Sequence, residues 1–159
     1  MADVEVEVDP ITVTVSGAIG TITGALDPFD GEAAGFAIDT LSPAIDSETV
    51  PADGDYGTGE TLTFTITWDE AVTVTGAPRL HITIGGVPQV AIYAGGDGTD
   101  TLTFMYEILT DDDGVLAVDN TIDLNGGTIR DAVGNDADLV ADFASTAGVN
   151  VASVPSITS

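Results

Sequence analysis

Apolar and polar residues alternate with period two along most of this chain. In TLTFTITW (61–68), Leu62, Phe64, Ile66 and Trp68 share one parity and four threonines take the other. TLTFMYEI (101–108) repeats the device with Leu102, Phe104, Tyr106 and Ile108. RLHITI (79–84) sets Leu80, Ile82 and Ile84 against Arg79, His81 and Thr83. Such runs, rich in β-branched and aromatic residues, predict half-buried strands. PADGDYGTG, IGGVP and GGDGTD separate them, and all three are turn chemistry. No window carries the period of an amphipathic helix. The expected class is all-β, with strands spaced as in a two-sheet sandwich.

Residues 95–103, GGDGTDTLT, fit the calcium-binding nonapeptide G-G-x-G-x-D-x-U-x letter for letter. A β-roll needs that unit in tandem, because successive turns stack around the ions. This chain has one copy, between the strand-like runs VPQVAIYA and TLTFMYEI. A hairpin loop is therefore expected here.

A longer period carries more information. AGFAIDTLSPAIDS (34–47) and AGVNVASVPSITS (147–159) share a plan of Ala-Gly, an alternating strand, a polar step, then Pro and a new strand. Pro43 and Pro155 stand 112 positions apart, about one sandwich module. The expected organisation is one complete module at 39–152. Residues 1–38 would be an N-terminal β segment ending a preceding module or serving as a linker. Residues 153–159 would begin the next module or form a tail.

Composition narrows the partners. Asp and Glu number 27 against Arg79 and Arg130, with no lysine, giving a formal charge of −25. Nucleic acid, which is bound through clustered Lys and Arg, is excluded as a partner. Docking on anionic lipid is disfavoured for the same reason. Crowded carboxylates repel unless salt or multivalent cations neutralise them, so high salt and extracellular calcium both fit. Apolar residues at 43%, in ordered patterns, argue for a fold rather than disorder. The chain has no cysteine and no apolar run of membrane-spanning length. Its first residues, MADVEVEV, are no signal peptide and read as a cut inside a longer protein.

VPADGDYGTGETLTFTITWDEAVTVTGAPRLHITIGG, followed by GTDTLTFMYEI, LNGGTIRDAVGND and STAGVNV, resembles a bacterial immunoglobulin-like tandem repeat. That repeat recurs in giant secreted adhesins of the repeats-in-toxin type. The resemblance covers 39–155 in consistent order. It implies an immunoglobulin-like antiparallel β-sandwich of Greek-key topology. It also implies a role as a structural extender at the cell surface, rigidified by calcium, with neighbouring modules of the same chain as partners. The usual junction resembles Asp-Thr-Thr-Ala-Pro, whereas here it reads Asp39-Thr40-Leu41-Ser42-Pro43. At the second junction, Ala152-Ser153-Val154-Pro155, the aspartate is missing, and with it the case for a shared calcium there.

Candidate metal ligands are acidic loop residues, since calcium takes six to eight oxygens from carboxylates, amides, carbonyls and water. Asp111 and Asp113 flank a third aspartate before Gly114, and DAVGND offers Asp131, Asn135 and Asp136. ADGDYGTGE adds Asp53, Asp55 and Glu60. None has EF-hand spacing. If successive loops alternate between the ends of a sandwich, a loop opening at Asp69-Glu70 shares an end with GGDGTD, DAVGND and Asp39. The expected metal set is Asp39, Glu70, Asp111, Asp113, Asp131, Asn135 and Asp136, divided between two poles. The plainer reading is that Asp and Gly simply populate turns.

Catalysis finds little support. His81, the only histidine, stands on the parity opposite its apolar neighbours. Without Cys or a second His, the Ser-His-Asp, Cys-His and His-rich zinc arrangements are poorly supported or absent. No pair among 27 acids stands out as glycosidic. The parity of Trp68 favours the core over a sugar platform; Tyr56 and Tyr93 are the better candidates for exposed aromatics. Two alternatives to the extender remain: a calcium-dependent glycan- or peptide-binding module, and a filament subunit donating VEVEVDPITVTV as a strand. The expected setting is extracellular, without membrane insertion, and the isolated module is expected to be monomeric.

Overall fold

The computed structural model describes residues 39–152, and within them every regular element is a strand. The N-terminal strand proposed for donation and the start of a next module lie outside the described residues. The elements are β1 (Ile45–Thr49), β2 (Gly54–Tyr56), β3 (Thr61–Thr75), β4 (Arg79–Ile84), β5 (Val87–Gly95), β6 (Thr99–Glu107), β7 (Gly114–Asp123), β8 (Thr128–Arg130) and β9 (Val149–Val151). Among these residues no helix is long and apolar enough to cross a membrane.

The all-β class expected from the alternation is present. The strands follow one path, β1-β3-β6-β5-β4-β7-β9-β2, with β8 added to β3. Pairings are antiparallel except β2 with β9, which is parallel, so the sheet is mixed. β5 makes the path continuous. Its first part pairs with β4, and Ile92 to Gly95 pair with Met105 to Thr103 of β6. The sheet curls, and the apolar parity of β3, β4 and β6 is buried.

The core is the set that period two picked out. Leu62, Phe64, Ile66 and Trp68 of β3 join Leu80, Ile82 and Ile84 of β4 and Leu102 and Phe104 of β6 in one buried cluster. Each such side chain contributes about 1.5–3 kcal/mol by leaving water. Trp68 satisfies its one polar atom by donating Nε1–H to the Asp138 carbonyl at 3.0 Å. It is thus a core residue, not a sugar platform. Phe143 closes the cluster edge-on against Phe64, with centroids 6.4 Å apart.

The outward parity of β1, β3 and β6 is rich in hydroxyls. Thr65 pairs with Thr103 on one side and Thr49 on the other; Thr67 pairs with Thr101 and Ser47. Hydroxyls meet across strands at 2.7 Å (Thr49–Thr65) and 2.9 Å (Thr67–Thr101).

GGDGTDTLT is a hairpin connection between β5 and β6, as the single copy implied. Gly96 and Gly98 have φ of 113° and 78°, a region that favours glycine. Asp97 does not point to a repeat-type ion stack. Its carboxylate accepts the Val74 amide at 2.7 Å, and its own amide donates to the Tyr93 hydroxyl.

Candidate metal centre

Three carboxylates expected to be metal ligands come together. Ligand oxygens of Asp39, Glu70 and Asp131 all lie within 4.8 Å of one another; Asp39 is exposed, Glu70 half-buried and Asp131 buried.

Glu70 was expected in a loop. It lies instead inside β3, which runs unbroken to Thr75. Its parity is that of Leu62, Phe64, Ile66, Trp68 and Val72, so it occupies a core-phase position with an acid. The β3–β6 register shifts between Thr67 and Val72, as in a bulge. Beyond that point Thr73, Val74 and Thr75 pair with β8. β3 therefore changes partner around Glu70, which explains why AVTV is not a separate strand. An acid breaking a row of apolar positions is the sequence signal that marks this residue.

Asp131 follows β8 directly and organises the DAVGN turn. Its Oδ1 accepts backbone N–H bonds from Val133 at 2.9 Å, Gly134 at 2.6 Å and Asn135 at 2.8 Å. Its Oδ2 accepts from Asn135 Nδ2 at 2.6 Å. Burial alone would raise this carboxyl, but the donors from Asn135, Gly134 and Val133 outweigh it and hold it below the ordinary aspartate range. Asp131 is thus ionised and fixed in orientation. Asn135 was expected as a ligand; its amide also donates to the Leu41 carbonyl at 2.9 Å. The same entering segment is held by Ala44 N–H to Asp69 Oδ1 and Asp138 N–H to the Pro43 carbonyl, at 2.9 and 2.8 Å.

The other expected ligands stand elsewhere. Asp136 is exposed and accepts from Arg130 Nε at 2.6 Å. Asp111 and Asp113 are exposed in the β6–β7 connection, apart from the three-carboxylate group. Asp112 between them is buried instead. It accepts the Tyr106 hydroxyl and the Leu109 amide on Oδ2, at 2.7 and 2.8 Å, and Gln89 Nε2 on Oδ1 at 2.8 Å. Nearby, a Cβ on Gly85 would overlap the Asp113 carbonyl, and one on Gly114 would lie 2.5 Å from Gly85 Cα. Only glycine at both positions lets the β4–β5 turn meet the β6–β7 turn.

Arg79 and His81 converge on Asp123, with Nε and Nε2 at 2.7 and 3.0 Å from Oδ2. The Asn125 amide, then Arg79 and His81, hold that carboxyl well below its usual range. Tyr56 donates its hydroxyl to the Ala52 carbonyl at 2.8 Å.

Three carboxylates this close repel strongly, and a cation relieves that repulsion. Their donor set is oxygen only, which suits hard divalent cations rather than thiolate- or imidazole-seeking ones. The group could hold a metal ion, with carbonyls and water completing its shell. No family model matches the chain, and no curated protein or solved structure matches it either.

Proposed function

We propose that residues 39–152 form an immunoglobulin-like extender module of a large bacterial surface adhesin, without chemistry of its own and rigidified by calcium. The observation that carries this reading is the convergence of Asp39, Glu70 and Asp131 within 4.8 Å. Asp39 belongs to the chain just before the strands, Glu70 to β3 and Asp131 to the turn after β8. An ion bound to all three ties the entering chain to two points on the sheet. That is what a rigid array requires of each module. The strand-only fold and the charge of −25 agree with it. Outside the cell calcium is abundant enough to fill even weak sites, with dissociation constants of about 10⁻⁴–10⁻³ M. Its partners in this reading are the ion and the neighbouring modules of the same chain.

Thermal unfolding in EDTA, then with rising calcium at fixed high sodium chloride, tests the proposal. The melting temperature should climb and then level off, with about 2.7 kcal/mol gained at a hundredfold excess over the dissociation constant. Glu70→Gln should abolish the climb and, by relieving carboxylate repulsion, should not lower the melting temperature in EDTA. A wild-type response no greater than sodium chloride alone produces would remove calcium from this reading.

A further inference from the structure

We infer that Asn125–Gly126, in the turn between β7 and β8, is a site of spontaneous deamidation that loosens β8 once it reacts. Of the chain's four asparagines, Asn120, Asn125, Asn135 and Asn150, only Asn125 precedes a glycine. Both residues of the pair are exposed. A Cβ built on Gly126 would meet no atom within 4 Å, so nothing crowds this residue. Asn120 precedes the β-branched Thr121, and Asn135 and Asn150 are half-buried. The reaction needs only water. The Gly126 nitrogen loses its proton to solvent and bonds to Asn125 Cγ, while Nδ2 takes a proton and leaves as ammonia. The succinimide ring so formed adds water at either carbonyl and opens to aspartate or isoaspartate. A side chain on the second residue would obstruct its nitrogen, and glycine has none.

The fold sets the rate. Asn125 and Gly126 have φ of 49° and 81°, the two positive values that a type I′ turn requires. Gly127 N–H closes the turn on the Leu124 carbonyl at 2.8 Å. Asn125 Nδ2 donates to the Ala77 carbonyl at 3.2 Å, long for such a bond. Ring closure must break that bond and turn the backbone out of its left-handed conformation. Conversion therefore passes through local opening and is slower than in the unfolded chain. Either product disturbs what the turn holds. An oxygen takes the place of Nδ2 against the Ala77 carbonyl, acceptor facing acceptor. A new carboxylate stands two residues from Asp123, which already accepts the Asn125 amide at 2.8 Å. Isoaspartate also lengthens the backbone by one atom, and there is no slack for it. A Cβ on Gly127 would overlap the Thr75 carbonyl, so β3 lies directly against the turn. The pairing of Thr128 with Thr75 and Ile129 with Val74 begins at the next residue. Isoaspartate thus releases β8 from β3. This inference does not depend on the metal.

Peptide mass spectrometry after long incubation of the folded protein in mildly alkaline buffer with EDTA tests it. Conversion should concentrate at Asn125, several-fold above Asn120, Asn135 and Asn150, and should accelerate in urea. Asn125→Gln keeps an amide but would have to close a larger ring, so that position should stay unmodified. The converted fraction, separated by ion exchange, should melt below the unreacted protein. Its isoaspartate chains should melt below Asn125→Asp, which carries the charge without the longer backbone. Conversion no greater at Asn125 than at the other asparagines, or a rate that urea leaves unchanged, overturns the proposal. A converted fraction that melts with the unreacted protein overturns it equally.

Discussion

Asp112 and Asp131 are both buried aspartates in Asp- and Gly-rich turns, and they differ in whether other carboxylates approach them. Asp112 is enclosed by donors: a phenol, a backbone amide and a carboxamide account for both of its oxygens. Asp131 also has donors on both oxygens, three backbone amides on Oδ1 and Asn135 Nδ2 on Oδ2, but Glu70 and Asp39 approach it as well. A carboxylate among donors is a structural pin. A carboxylate that also meets other carboxylates could hold a cation with them. Turn composition does not separate the two cases; the long-range partners do.

The comparison breaks most visibly at Asp112. Asp112→Ala leaves Tyr106, Leu109 and Gln89 without their acceptor. A buried donor left unsatisfied costs about 1–3 kcal/mol, so a loss of about 3–5 kcal/mol is expected. Urea unfolding measures it, and the loss should be the same in EDTA and in calcium. Dependence on calcium would show that Asp112 and the three-carboxylate group are coupled.

Asp131→Asn should cost less in EDTA, because the amide oxygen still accepts the turn amides. Its signature is pH dependence. The folded carboxyl is held low, so its ionised form contributes stability above the ordinary aspartate range, near 3.8. That contribution is lost as pH falls through the lower folded value. The difference between wild type and variant should therefore be full above about pH 4 and close below it. A difference constant down to the most acid conditions would mean that the charge of Asp131 contributes nothing to folding.

The sequence made the strands legible because parity is local. Leu62, Phe64, Ile66 and Trp68 announce a buried face whatever their partners are. The same parity could have placed one of the three site carboxylates, since Glu70 interrupts that row, although loop alternation put it in a turn. The choice among Asp111, Asp112 and Asp113 was not legible. It is settled by Gln89, 23 positions away, and by the phenol of Tyr106. Nor could alternation reveal the curl of the sheet. β5 pairs with β4 and then with β6, and that continuity depends on non-local pairing. Strands of three residues, β2, β8 and β9, are too short to display a period; tertiary pairing creates them.

Tyr106→Phe sharpens the Asp112 side with a smaller change. It removes one donor and leaves two, at an expected cost of about 1.5–3 kcal/mol for a bond to a charged group. Burial, then the hydrogen bond and charge of Asp112, push the Tyr106 phenol far above its usual value of 10.0. A raised folded pKa means that this stability is complete below about pH 10 and is lost as pH rises further. Wild type should therefore lose stability in strong alkali more steeply than Y106F. Parallel alkaline profiles would mean that Asp112 does not hold the phenol in its neutral form.

The smallest effect is expected at Asp136, and it tests the edge of the metal side. Asp136 follows Asn135 and resembles a ligand in sequence, yet it is exposed and paired with Arg130 at 2.6 Å. Exposed pairs are worth roughly 0–1 kcal/mol, because solvent screens them and two side chains must be held still. Asp136→Asn should thus change stability by no more than that and leave the calcium titration as in wild type. If the titration weakens instead, Asp136 leaves Arg130 to reach the ion, and the cluster has a fourth carboxylate. The same experiment on Glu70→Gln sets the scale, since that substitution removes a carboxylate already within 4.8 Å of its neighbours. A ratio between the two responses near one would place Asp136 in the shell; a ratio far from one keeps it a surface partner of Arg130.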